Sequence, residues 1–562
     1  MSAAALKREL ARVLRELGVE HPNEVELERP RNPEHGDWAT NAAMTLAKPL
    51  GLGPRRLAEK IVESLDRDGA GVASAEVAGP GFINFRLSPH RFLAGLADVV
   101  AQDKAYGRSD AGRGKPVNVE FVSANPTGPL HIGHGRQAAL GDAVAGLLAW
   151  TGWKVHREYY YNDAGAQVER LAHSVWVRYQ QHFGREAELP ADAYRGEYVA
   201  ELAARLAAKR GDRLVDDKSA AALDEVRRFA VAGLMEEIER DLDQFGVRFD
   251  SYFRESSLYD GGRVGGTVER LRHAGVTYQQ EGALWLRATD FGDDKDRVMV
   301  RGDGRPTYFL PDVAYHLTKW ERGFHQAINV QGADHHGTVA RVRAGLRALG
   351  LPRGYPEYLL HQMVLVTRGG EEVKFSKRAG GYVTLRELYH EVGVDVARYF
   401  FLMRRPEAQL TFDLDLALDR SDKNPVYKVQ YAHARMCSIF RKAGVDEGQI
   451  NAAAVNLSLL GTGTELEVIK VLLAFPEVVA EAASQRAPHT VCAYLERLAS
   501  EVNSWYHAGN LDPSLRVVGV GEELQRARLV LARGIRVVIR NGLSILGVSA
   551  PERMAREERE EP

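Results

Sequence analysis

Two histidines separated by Ile-Gly stand in the stretch NPTGPLHIGHGR, Asn125 to Arg136. An apolar run, VNVEFVSA, leads into it and a helix-like run, QAALGDAVAGLLAW, leads out. His131 and His134 therefore fall where a strand turns into a helix. That place suits phosphate, because a helix N-terminus offers unpaired N–H groups and the positive end of its dipole. Both imidazoles could donate to phosphate oxygens, and Gly133 and Gly135 would let the backbone approach a nucleotide closely. A plain strand–helix turn with a capping histidine would show the same four letters. A second stretch supplies charge: in TRGGEEVKFSKRAGGYVTL, Lys374 and Lys377 flank Phe375 and Ser376 in a polar, glycine-bounded loop. Such lysines can act as point charges on a transferring phosphoryl group and its pyrophosphate leaving group, although alone the run would read as a solvated turn.

These groups need a frame. After a linker, YGRSDAGRGK, the strand 117–123 is followed by a helix at 137–150, the strand WKVHREYYY and a helix from Ala164. Apolar strands alternating with amphipathic helices predict parallel βαβ units, whose ligands sit at the carboxyl ends of the strands. Residues 165–290 interrupt the pattern with long charged helices. It resumes with a helix at 313–323, the strand AINVQG, a helix at 338–349 and the strand YLLHQMVLV. Five segments are expected: an N-terminal α+β domain over 1–106, half of a doubly wound sheet over 107–164, a mainly helical insertion over 165–290, the second half over 291–421, and an all-α bundle over 422–562.

At 562 residues, 45% of them apolar and 27% charged, the chain is too long for one core and reads as several soluble domains. No run reaches the ~18 uncharged apolar residues a membrane span needs, and MSAAALKRELARVLREL is an amphipathic helix rather than a signal peptide. Two distant cysteines, Cys437 and Cys492, rule out a disulfide framework and a multi-cysteine zinc site, and they fit a reducing cytoplasm. The net charge of −2 leaves nucleic-acid binding to local patches.

The histidine turn and KFSKR, in this order and separated by the rest of a split sheet, resemble the two signatures of class I aminoacyl-tRNA synthetases. The chain is most similar to the arginyl family. The likeness runs through GDWATN, GPGFINFRL, VEFVSANPTGPLHIGHGR, YYYNDAGAQ, YFLPDVAYH, GADHHG, KFSKRAG, YKVQYAHAR and LGVSAPERM. It implies a Rossmann catalytic domain, ATP with Mg²⁺ as substrate and no protein-held metal. L-arginine would be activated to the adenylate and passed to the terminal 2′-hydroxyl of tRNA(Arg), with tRNA needed even for activation. A cytoplasmic monomer is expected, without membrane contact.

The resemblance also assigns residues. Glu120, Tyr308 and Asp312 would hold the guanidinium, and Ser123 and Asn125 the α-amino group. Gly332, Asp334 and His335 would lie near adenine and ribose, beside Phe375 and Ser376. Phe82 and Asn84 would read a D-loop base, and the helix bearing Lys428, Tyr431 and Arg435 would meet the anticodon. Elementary chemistry agrees on the acids, since a guanidinium fork wants carboxylates. A glutamate inside VNVEFV would be costly to bury without a cation. Asp312 could equally be a helix cap after Pro311. The helix YKVQYAHARMCSIFRKA carries Lys423, Lys428, His433, Arg435, Arg441 and Lys442 with Tyr427 and Tyr431 between them, which suits phosphate pairing and base stacking or a core with a solvated face. The paired histidines of GADHHG point about 100° apart on a helix and lack a cysteine, which disfavours zinc. No general base is needed, because the attacking arginine carboxylate is already ionised. An acidic pocket rejects neutral analogues without an editing site. The sequence departs from the class pattern at Phe375 and Arg378, in place of methionine and serine, but keeps both lysines. Alternatives are a class I synthetase of another specificity and an RNA-binding paralogue without catalysis.

Overall fold

The computed structural model describes residues 4–20, 25–30, 32–373 and 382–554. Near the N-terminus, β1 (Trp38–Thr40), β2 (Val72–Ala78) and β3 (Phe82–Leu87) form an antiparallel sheet in the order β1-β3-β2. Alternation along β3 sends Ile83 and Phe85 into a core with Leu10, Leu14, Leu57 and Ile61. Phe82 and Asn84 are left half-buried on the other face.

The central sheet is parallel and five-stranded. It comprises β4 (Pro116–Glu120), β5 (Lys154–Tyr161), β6 (Ser251–Arg254), β10 (Ala327–Gly332) and β11 (Glu357–His361), in the order β11-β10-β4-β5-β6. From β4 the chain builds outward through β5 and β6 on one side, then returns to add β10 and β11 on the other. The strand order thus reverses between β4 and β10, which opens a crevice at their carboxyl ends. Strand β6 lies within residues 165–290, expected from the sequence to be mainly helical with few strands. It is only four residues long and follows three helices (Ala166–His182, Glu197–Arg210, Ala220–Gln244), so its period-2 signal is too short to stand out.

Two smaller sheets complete the strands. β7 (Thr277–Gln280), β8 (Ala283–Leu286) and β9 (Arg297–Val300) form an antiparallel meander. The run YLLHQMVLV divides into β11 and β12 (Val364–Arg368), and β12 pairs with β13 (Glu371–Glu372) and β14 (Leu410–Asp413) in a sheet of its own.

Four long helices form the C-terminal bundle: Pro425–Ala443, Gly463–Gln485, Pro488–Leu511 and Glu522–Ile545. Between the bundle and the central sheet runs the helix Ile132–Trp150, which carries apolar residues on every face because most of it is buried. Its Gly146 lies so near the bundle that a β-carbon would come within 2.8 Å of the Ile545 carbonyl. A buried guanidinium pins the same junction. Arg398 donates to Asp142 of that helix (2.6 Å), to the Phe245 carbonyl ending the helix Ala220–Gln244 (3.1 Å), and to the Leu546 carbonyl ending the last helix (3.1 Å).

Candidate active site

The crevice at the ends of β4, β10 and β11 holds a cavity of about 560 Å³. Glu120, Ser123, Asn125, His131, Gly133, His134, Asp312, Gly332, Asp334 and His335 all line it. Ten of the positions named from the sequence, contributed by segments up to about two hundred residues apart, therefore share one space.

The histidine end is built on the helix Ile132–Trp150. His131 is its N-cap, and its Nδ1 accepts from the backbone N–H of Gly133 (3.0 Å) and of His134 (3.3 Å). In return His134 Nδ1 accepts from the His131 N–H at 3.3 Å. With Nδ1 an acceptor on both rings, each proton sits on Nε2, leaving two outward N–H donors. The rings stack at 3.6 Å. Burial lowers the basicity of both, His134 well below the ordinary histidine value, where His131 and His361 further disfavour its charge, while Asp334 partly offsets the effect of burial on His131. Neutral Nε2–H donors are the result. Gly133 makes the cap possible, since a β-carbon there would meet the His131 ring at 2.8 Å. Gly135 has another function from the close nucleotide approach expected. It is buried, and a β-carbon would meet Leu385 at 2.6 Å and Phe401 at 3.1 Å.

Lys374, Phe375, Ser376 and Lys377 lie outside the described residues. The segment resuming at 382 is tied to the histidine turn: the N–H of Ile132 donates to Val383 and that of Leu385 to Leu130, at 3.2 and 2.8 Å. Val383 and Leu385, which follow that segment in the chain, are therefore anchored beside His131.

The acidic end is built by β4, β5, β6 and the helix Phe309–Glu321. After Glu120 the chain turns sharply, with Val122 at φ 65° and Ser123 at φ 42°. A β-branched residue there is strained, and the turn brings Ser123 Oγ to 3.1 Å from Glu120 Oε1. Asn125 is held by the Asn162 N–H (3.0 Å) and by Gln167 (3.2 Å). Glu120 has its own cation: Lys319 Nζ lies 2.5 Å from Oε2, and both residues are buried. Asp312 has none. It sits in the first turn of its helix rather than at the cap, which is Tyr308, and no hydrogen bond or ion pair reaches it among the described residues. Burial first, then Glu255 and Glu120, push its carboxyl up to about 7, against a smaller opposing pull from Arg341, which lies beyond ion-pair distance. Glu255 accepts from the Tyr160 hydroxyl (2.7 Å) and is also raised, chiefly by burial.

Tyr308 is not brought to the cavity; its side chain is 84% exposed. Conversely, Glu255, Tyr160 and Gln331 line it although sequence reasoning passed them over. The signal for Glu255 was thin, one acid in SYFRESS at the end of an unrecognised strand.

In the bundle, a second cavity of about 470 Å³ is lined by Tyr431, Arg435, Arg441, Lys442 and Tyr506. The Arg435 guanidinium lies 4.7 Å from the Tyr431 ring and 4.4 Å from Tyr506, and donates to Asn503 at 2.6 Å. Lys428 donates to Ser500 at 2.6 Å. His433 and Tyr427, on the same helix, are buried; His433 bonds the Pro551 carbonyl. Among the described residues no group of three or more His, Cys, Asp or Glu side chains is gathered as for a metal, and no helix is long and apolar enough to cross a membrane.

Three family models match the chain end to end: the arginyl tRNA synthetase N-terminal domain at residues 4–87, the class I (R) tRNA synthetase catalytic domain at 95–405, and the DALR anticodon binding domain at 429–554. The arginine–tRNA ligase of Thiobacillus denitrificans is 50% identical over 96% of this chain and 97% of its own. That of Bordetella petrii is 52% identical over 94% and 95%. The solved arginyl-tRNA synthetase of Thermus thermophilus superposes with a TM-score of 0.75 at 26% identity, over 99% of this chain and all of its own.

Proposed function

The chain belongs to the arginyl-tRNA synthetase family of class I, and we propose that the cavity at the ends of β4, β10 and β11 is where arginine meets ATP. Its activity is arginine–tRNA ligation. An arginine carboxylate oxygen attacks the α-phosphorus of ATP, pyrophosphate leaves, and the arginyl group passes from the adenylate to the terminal 2′-hydroxyl of tRNA(Arg) with release of AMP.

The observation that carries the placement is the polarity of the cavity. At one end are two neutral histidine donors on a helix N-terminus; at the other are Asp312 and Glu255, two acids that no cation among the described residues meets at ion-pair distance. A ligand spanning it must be anionic at one end and cationic at the other, as arginine beside ATP is. Asp312 would take the guanidinium bidentately, Glu255 would add charge, and Ser123 and Asn125 would meet the α-amino group. Gly332, Asp334 and His335 would face the ribose and adenine. ATP would enter as its magnesium complex, and Lys374 and Lys377 would offset charge on the departing pyrophosphate. Catalysis is then positioning and charge stabilisation.

For tRNA, we assign the Tyr431–Arg435–Tyr506 cavity to anticodon bases and the outer face of β3, with Phe82 and Asn84, to the D-loop. The test of the whole is ATP–pyrophosphate exchange with each amino acid in turn, with and without tRNA. Exchange driven by an amino acid other than arginine would replace the reading.

A further inference from the structure

His361 closes β11, in register with Gly332 at the end of β10, and lines the cavity. The residue is only 5% exposed, and no hydrogen bond reaches its Nε2 among the described residues. Its Nδ1 lies 3.2 Å from the Gln362 carbonyl. A carbonyl only accepts, so the proton sits on Nδ1 and Nε2 keeps a bare lone pair. Burial, helped by Arg136 and His131 and opposed by that carbonyl and Asp334, lowers the pKa to about 4, and the ring is neutral at neutral pH. His361 therefore has the tautomer opposite to that of His131 and His134, whose Nδ1 atoms accept. The Gln362 carbonyl is itself pinned. It accepts from buried Arg136 (2.7 Å), which also donates to the Arg405 (2.9 Å) and Ala408 (3.1 Å) carbonyls, and the Gln362 N–H donates to Pro406 at 2.9 Å. The arginine that follows the histidine turn thereby fixes which nitrogen of His361 carries the proton.

A buried acceptor without a donor costs about 1–3 kcal/mol, and the ligands of the cavity have few neutral donors to offer. The N–H groups of arginine are cationic and belong with Asp312 and Glu255. On ATP the phosphates and the ring nitrogens only accept, and the ribose hydroxyls can turn towards water or the exposed Asp334. The 6-amino group of adenine is the neutral N–H donor that remains. Beside His361, Met363 lines the cavity while 71% exposed, an apolar edge on which a flat base can lie. We propose that His361 Nε2 accepts from the adenine 6-amino group and sets the preference for ATP over purine nucleotides that lack it. A 6-oxo base would turn a lone pair towards a lone pair. The inference rests on ATP binding in this cavity.

The test is arginine-dependent pyrophosphate exchange, with tRNA present, using three triphosphates: ATP, purine riboside triphosphate, which lacks the amine, and 2′-deoxy-ATP. The parent should show a KM about tenfold or more higher for purine riboside triphosphate than for ATP. His361→Leu should raise the ATP KM about tenfold and leave that of purine riboside triphosphate within about twofold, so that the preference vanishes. The arginine KM should stay within about twofold. His361→Gln, which can keep an acceptor near the place of Nε2, should retain most of the preference. Equal losses for all three triphosphates would make His361 a packing residue, and a preference lost against 2′-deoxy-ATP alone would turn it towards the ribose. Either result overturns the proposal. If His361→Leu does not fold, a parent that uses ATP and purine riboside triphosphate equally well overturns it without any variant. A parent with no arginine-dependent exchange would instead overturn the reading of the cavity itself.

Discussion

His131 and His134 cap one another: each Nδ1 accepts from the other residue's backbone N–H at 3.3 Å. This reciprocity fixes both tautomers before any ligand arrives, so the proposed phosphate site gains two Nε2 donors without a rotamer search. Placing a β-carbon at Gly133 should undo it, because the His131 ring must yield. Gly133→Ala is expected to slow adenylate formation by about tenfold or more and to cost about 1 kcal/mol of stability through the lost cap. Single-turnover adenylate formation and thermal unfolding measure the two effects. An unchanged rate would show that the cap does not matter to chemistry.

The proposed guanidinium partner, Asp312, should govern arginine and not ATP. Asp312→Asn should raise the arginine KM by roughly a hundredfold or more while the ATP KM stays within about twofold. An unaltered arginine KM would remove Asp312 from the site.

The same carboxyl predicts a pH dependence. Its value in the free protein is raised to about 7 from the usual 3.8, so the ionised form that pairs with a guanidinium is lost as pH falls through 7. The kcat/KM for arginine should show an acidic limb near pH 7, absent in Asp312→Asn, while kcat, which reports the liganded protein, keeps its limb lower. The stability sign is opposite to that of a paired acid. A raised carboxyl costs stability progressively between about pH 4 and 7, so Asp312→Asn should be more stable than the parent by about 1–3 kcal/mol at pH 8 and equal to it below about pH 4. Chemical denaturation at the two pH values decides.

Lys377→Ala should slow pyrophosphate exchange by about a hundredfold, the scale of removing one charge-stabilising contact, with the tRNA Kd within about twofold. Parallel losses in both would give that lysine a different task.

Arg435→Ala should weaken tRNA binding by about tenfold and lower the salt dependence by about one ion. Arginyl-adenylate already formed should react with saturating tRNA at the parent rate. Affinity that ignores the substitution would leave the Tyr431–Tyr506 cavity without a role.

Local signals carried much of this architecture. The helix Ile132–Trp150, β4, β5, β10 and the C-terminal helices follow from runs of ten or so residues whose period and bounding turns are explicit. The histidine turn was legible because all its chemistry lies within four residues. Long-range pairing was not: Lys319 looks like one more charge in an amphipathic helix, and only the folded chain brings it to Glu120, 199 positions away. Glu255 was hidden for the related reason that β6 is too short to announce a strand end. Tyr308, chosen by likeness, lies outside the cavity because it precedes the helix that points Asp312 inward.

Arg398 binds three stretches that the linear map would assign to separate segments: the helix behind the histidine turn, the end of the insertion and the end of the bundle. An excised core stopping before Leu546 would keep this guanidinium buried while stripping away an acceptor it shares with neither remaining stretch. Miniaturised versions of the enzyme should therefore begin from the intact C-terminus and shorten the outer face of the protein, since cutting at the boundary near residue 421 severs a knot rather than a hinge.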